Sequence, residues 1–306
     1  MHIPLIIAHR GASANAPENT LATFRLVREQ GADAIEADFH LTKDGRIICI
    51  HDRTTQRVAG VNLIVGEATL AQLRELDVGS WQGSQWAGER IPTIEEVLGS
   101  APKGKRVFIE IKCGPEIIPL LGLALRGSDL TSDQVAVISF SQSVIAESKR
   151  QLADVKAFWL TSLRGDERTG QPYPPFSQIL RTLKGINADG LDRDARSTID
   201  AAFVAELRKE GMELHVWTVD DLETALASEL LAWTPSRRIV QVGSELSCTS
   251  EGIRSLGRGP QEEELVESQS TPRPRRLRMP GALPTGEEAD ATPSETEKRA
   301  LCLAEL

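Results

Sequence analysis

Long apolar runs are missing from this 306-residue chain. None approaches the ~18 residues of a membrane-spanning helix, so no membrane span is expected. Cysteine is scarce: Cys49, Cys113, Cys248 and Cys302 are scattered without CxxC spacing. Neither a structural zinc site nor a disulfide framework is therefore expected. A basic excess is also missing, since 44 acidic against 35 basic side chains leave a net charge of −9. Binding nucleic acid by charge alone is excluded on that balance. The N-terminal MHIPLIIAHRG lacks the basic and long apolar regions of a signal peptide, so a cytoplasmic protein is expected. No feature of the sequence fixes an oligomeric state.

Aromatic residues make up only 4% of the chain, and they are unevenly spread. All seven Phe, the only Tyr and four of five Trp precede residue 231. Residues 231–306 hold one aromatic, Trp233, with two Ile, seven of the sixteen Pro, and nine Arg against one Lys. So few large apolar groups cannot offset the entropy of ordering a backbone, so this tail is predicted to be disordered. The folded region is predicted to span residues 1–230.

Within that region, short β-branched runs alternate with amphipathic stretches. The strand candidates are 5–9, 33–40, 107–112, 135–140, 156–160, 188–192 and 213–219. Helical patterns cover 20–30, 94–98, 116–125, 143–152 and 201–209. Near-continuous apolar strands between helices imply a parallel sheet with helical crossovers, and this many units imply a (β/α) barrel. Seven strands are visible where a closed barrel of this kind has eight. The Asp44-Gly45 pair, between DFHLTK and RIICIHD, predicts a two-residue hairpin turn. In that pairing Asp38 faces His51, and the hairpin carries His51 back to the strand end bearing Glu36.

Polar residues cluster where these strands end, which in a barrel is the catalytic rim. They are His9-Arg10-Gly11, Glu36-x-Asp38, His51-Asp52, Glu110-x-Lys112 and Trp217. Alternation puts Glu36 and Asp38 on one strand face, and likewise Glu110 and Lys112. An ionised carboxylate among apolar neighbours is costly unless paired or bound to metal. Taken singly, each such residue is more often a structural ion-pair partner. Three carboxylates with two histidines, an arginine and a lysine on one rim favour instead one hard divalent cation, Ca2+ or Mg2+. His9 and His51 could each be structural, and Trp217 could equally be a core aromatic. His2, His40 and His215 are expected to be structural, the latter two facing away from Asp38 and Val216.

The segments HRGASANAPENTLATF, AIEADFHLTKDGRIICIHD, FIEIK and HVWTVDD, in that order, resemble the glycerophosphodiester phosphodiesterase family over roughly residues 4–229. LDVGSWQGSQWAGERIPTIEEVL is similar to that family's small insertion, here about residues 53–92. The resemblance implies a TIM (β/α)8 barrel that hydrolyses a small-molecule glycerophosphodiester to an alcohol and sn-glycerol 3-phosphate. It implies that Glu36, Asp38 and Glu110 hold one divalent metal and that His9 and His51 act as acid and base. Arg10 and Lys112 would contact phosphate, Trp217 would line the substrate site, and Glu18 and Asn19 would support it from the first loop. Whether water or the neighbouring glycerol hydroxyl attacks is left open. An inactive or incompletely folded family member, a retained binding module, and a lysophospholipase D-like phosphodiesterase remain alternatives.

The family pattern stops near residue 230. The expected last strand has the form GVDSITTNRP, whereas this chain reads LAWTPSRRIVQ over residues 231–241. Those residues can be written TTG GCG TGG ACT CCA TCA CGA CGA ATC GTC CAR. With one C placed in front, the same bases regroup to encode LGVDSITTNRP. The residues from about 231 onward are therefore expected to be either a divergent tail or an out-of-frame translation. On that reading the barrel lacks its eighth strand and stays open at its first and seventh strands. Residues 237–242 could substitute, though their alternation is poor.

Overall fold

A computed structural model describes residues 5–30, 32–101, 104–162, 164–165, 172–194, 201–219 and 239–242. Eight parallel strands form a circuit: β1 (Leu5–Ala8), β2 (Ala34–Leu41), β4 (Arg106–Ile111), β5 (Val135–Ser139), β6 (Lys156–Thr161), β9 (Gly190–Asp194), β10 (Glu213–Val219) and β11 (Ile239–Val242). β11 lies between β10 and β1, and β1 pairs in turn with β2. The expectation of an open barrel is thereby corrected. Four residues from beyond the family-like pattern occupy the eighth place, because the ladder is made by backbone groups that any short extended run supplies. Apart from β11, residues 231–306 lie outside the described residues, as does His2.

Alternation along the strands separates two apolar layers. Ile35, Ala37, Phe39, Val107, Ile109 and their neighbours pack outward under the helices. Ile7, Ala34, Phe108, Ile138, Phe158 and Leu160 fill the barrel interior. The helices are α1 (Leu21–Gln30), α4 (Ile94–Ser100), α5 (Ile118–Arg126), α6 (Gln142–Gln151), α7 (Phe176–Gly185) and α8 (Ala201–Lys209). A capping box starts α4: Thr93 Oγ1 accepts the Glu96 N–H, and the Glu96 carboxylate accepts the Thr93 N–H. Helix α7 is absent from the expected set, and β7 (Arg164–Gly165) and β8 (Pro172–Tyr173) form a minimal side hairpin.

The hairpin strand β3 (Ile47–Cys49) pairs antiparallel with the outer half of β2, matching Phe39 with Cys49 and Leu41 with Ile47. The predicted pairing is therefore off by one residue. The loop has three residues, Lys43-Asp44-Gly45, with Gly45 at φ 73° in the left-handed region that glycine tolerates. Ile50, not His51, donates its N–H to the Asp38 carbonyl, at 2.9 Å. His51 follows directly, so the hairpin still returns it to the rim. β1 is only four residues long and pairs with Ala34 and Ile35, which leaves the outer part of that β2 edge to β3.

Beyond the hairpin, residues 53–92 form a small lobe with α2 (Gln56–Ala59) and α3 (Leu70–Arg74). Its own core joins Val58, Val65, Leu73, Val78 and Ile91 to Ile48 and Ile50 of the hairpin. The Asp77 carboxylate accepts the N–H groups of Gly79, Ser80 and Gly88 and so ties the lobe's irregular loop together.

Candidate metal centre and active site

Glu36 and Asp38 of β2 and Glu110 of β4 face the barrel interior near its C-terminal rim. Asp38 and Glu110 are direct partners across the parallel ladder. One carboxylate oxygen from each of the three lies within 4.8 Å of the others. Glu36 and Asp38 are fully buried and Glu110 nearly so. Glu36 Oε1 has no hydrogen-bond partner among the described residues, and Asp38 Oδ1, also without one, lies 3.4 Å from the Lys112 ammonium. Two buried oxygens without hydrogen bonds, on acids that would otherwise repel, fit a hard divalent cation. Burial, then the neighbouring Asp38 and Glu110, pushes the Glu36 carboxyl well above the usual range. Burial and then Asp38 raise Glu110 to about 7. Asp38 is the exception: burial opposes its ionisation, but Lys112, Arg10 and a hydrogen bond from Asn19 overcome it and lower its pKa.

The first loop holds these acids from one side. The Arg10 N–H donates to Glu36 Oε2 at 2.9 Å, while its guanidinium Nε lies 3.3 Å from Asp38 Oδ2. Gly11 turns the chain at φ 85°, and a Cβ there would come within 2.3 Å of Thr23. Asn19 grips Asp38 twice, donating Nδ2–H to Oδ2 at 2.8 Å and accepting the backbone N–H at 3.2 Å. Glu18 lies 3.3 Å from Arg10 Nη1. From the other side, Lys112 Nζ donates to Glu110 at 2.7 Å and lies 3.4 Å from Asp38.

The two candidate histidines flank this cluster. His9 follows β1; burial, and then the Arg10 charge, lower its pKa to about 4. His51 Nδ1 lies 2.6 Å from Asp52 Oδ1. Burial opposes ionisation of Asp52, yet hydrogen bonds from Arg57 and His51 bring its pKa to about 2, so the proton of that pair sits on the ring nitrogen. His40 does not face away from Asp38, because residues two apart on a strand share a face. Its Nε2 meets the His51 carbonyl at 3.1 Å, which makes it a prop for the hairpin. His215 is buried in the interior against Phe158 and Phe108.

Trp217 is brought against the interior apolar layer and edge-on to Phe140, with ring centres 5.6 Å apart. Two acidic or basic groups were not singled out from the sequence. Asp192 on β9 is buried, and burial followed by Glu110 pushes its carboxyl well above the usual range. Arg57, in the lobe, hydrogen-bonds both Asp52 and Glu18. A helical Arg in a Gln-Arg-Val-Ala run carries no local signal of such partners.

Comparison with known proteins agrees on one family. The profile of the "Glycerophosphoryl diester phosphodiesterase family" matches residues 9–233. A glycerophosphodiester phosphodiesterase of Caldanaerobacter subterraneus is 33% identical over 234 residues, covering 72% of this chain and 87% of that protein. A glycerophosphodiester phosphodiesterase of Bacillus subtilis is 28% identical over 246 residues, covering 75% and 80%. Among solved structures, an Oleispira antarctica phosphodiesterase in complex with the product sn-glycerol-3-phosphate superposes with a TM-score of 0.69 at 25% identity, covering 83% of this chain and 96% of that one. A Thermotoga maritima glycerophosphodiester phosphodiesterase, at 23% identity and a TM-score of 0.64, shares the fold over 84% of this chain and 99% of its own.

Proposed function

The chain belongs to the glycerophosphoryl diester phosphodiesterase family, and from that membership we propose that it hydrolyses glycerophosphodiesters to an alcohol and sn-glycerol 3-phosphate. The observation that carries this reading is the buried Glu36–Asp38–Glu110 cluster, with Glu36 Oε1 free of hydrogen bonds among the described residues and with His9 and His51 both close enough to act on Asp38. A divalent cation, Ca2+ or Mg2+, held by those three carboxylates would supply positive charge to a bound phosphodiester.

The chain's own groups do the rest. Arg10 and Lys112 add counter-charge where negative charge grows on the phosphate oxygens. His9, with its pKa near 4, is neutral at physiological pH and can accept the proton of the attacking nucleophile, whether water or the neighbouring glycerol hydroxyl. When both ring nitrogens of His51 carry a proton, Nδ1–H points to Asp52 and Nε2–H can pass its proton to the departing alkoxide. Glu18 and Asn19 hold Arg10 and Asp38 in place, and Trp217 forms part of the apolar wall at the mouth.

The test is release of glycerol 3-phosphate by the purified chain. His9→Ala and His51→Ala are each expected to lower kcat by about 10^2–10^4-fold. Wild-type turnover in either variant overturns that residue's assignment.

A further inference from the structure

Arg57 lies in the small lobe, outside the barrel, yet its guanidinium reaches both sides of the rim. Nη1 and Nη2 donate to the two oxygens of Glu18 at 2.9 and 2.7 Å, and Nε donates to Asp52 Oδ2 at 2.7 Å. Each acceptor has its other contact in the site. Asp52 Oδ1 meets His51 Nδ1 at 2.6 Å, and Glu18 Oε1 meets Arg10 Nη1 at 3.3 Å. One planar group therefore stands behind both the candidate proton donor and the candidate phosphate-binding cation.

An exposed ion pair usually contributes little, and the Arg57 side chain is 42% exposed. Two features set this one apart. The fork on Glu18 is bidentate, which fixes direction as well as distance. Its carboxylate partners are themselves less exposed, Glu18 at 12% and Asp52 at 32%. Lysine cannot reproduce the arrangement, because a single ammonium lacks the planar fork.

We propose that Arg57 is a positioning residue for the hydrolysis, clasping Asp52 and Glu18 so that the lobe sets the aim of His51 and of Arg10. This rests on the proposed phosphodiesterase reading and adds a function to the insertion: it braces the rim. Partners one step behind reacting groups typically affect turnover by about 10- to 100-fold when removed. The loss in Arg57→Ala should fall on both arms. Asp52→Asn should lower kcat with little change in KM, Glu18→Gln should mainly raise KM, and Arg57→Ala should do both.

The experiment uses the full chain and two readouts. The first is the His51 imidazole signal in nitrogen-resolved NMR, assigned by its disappearance in His51→Asn. The second is turnover of glycerophosphocholine with added Mg2+ or Ca2+. Arg57→Ala should shift the His51 signal and lower kcat about 10- to 100-fold. Free guanidinium, kept far below its denaturing range, should restore part of both. Arg57→Lys should keep the fold by circular dichroism and remain impaired. An unchanged His51 signal in Arg57→Ala, or full kcat in Arg57→Lys, overturns the clasp. A wild-type chain without turnover defeats the phosphodiesterase reading, while the imidazole signal still decides the clasp.

Discussion

Asn19 carries a large share of the site's order with a neutral side chain. It pairs with the Asp38 carboxylate and backbone N–H, and its Oδ1 also accepts the Cys49 thiol at 3.2 Å. Asn19→Ala strands buried groups on Asp38, so a loss of about 1–3 kcal/mol is expected in urea unfolding. A change below experimental error contradicts that account. Glu110 supplies a pH test. Its pKa is raised from 4.5 to about 7, so the folded chain binds this proton more tightly than the unfolded chain. The contribution is fully present below pH 4.5 and is lost as pH rises through 7, by about 3 kcal/mol at most. In chelator, the melting temperature of the wild type should fall relative to Glu110→Gln between those pH values. Parallel curves contradict it. The sequence made Glu36-x-Asp38 and Glu110-x-Lys112 legible because strand alternation is a local rule. Arg57 was not legible, since its partner Glu18 lies 39 residues away and is reached only through the fold.

At the scale of elements, β10 is found over residues 213–219, as its apolar run implies. The hairpin pairing slipped by one because Asp-Gly also suits a three-residue loop with glycine last. Its consequence survived, since His51 lies beyond the end of β3 and directly follows Ile50, whose N–H bonds the Asp38 carbonyl. β11 was the hardest element to read, because Ile239–Val242 has weak alternation and pairs with β1, more than 200 residues earlier. Its ladder role gives a direct test. Val240→Pro removes a backbone donor from a strand flanked on both sides. It should lower the melting temperature clearly, whereas an unchanged melt contradicts barrel closure by this segment.

Across the whole molecule, the family profile ends at residue 233, close to where aromatics give out and proline and arginine rise. The out-of-frame reading expects that one added or removed base near codon 230 of the gene restores LGVDSITTNRP. A nucleotide sequence in which no such shift does so contradicts it. The site lies on strands that precede this point: Glu36 and Asp38 on β2 and Glu110 on β4. What most directly tests the account is turnover of glycerophosphocholine by the purified full chain with added divalent cation, before and after chelation, beside Glu36→Gln. The account expects glycerol 3-phosphate release that chelator abolishes, metal restores and Glu36→Gln lacks. Release that persists in chelator and in Glu36→Gln, or no release by the metal-supplied wild type, contradicts it.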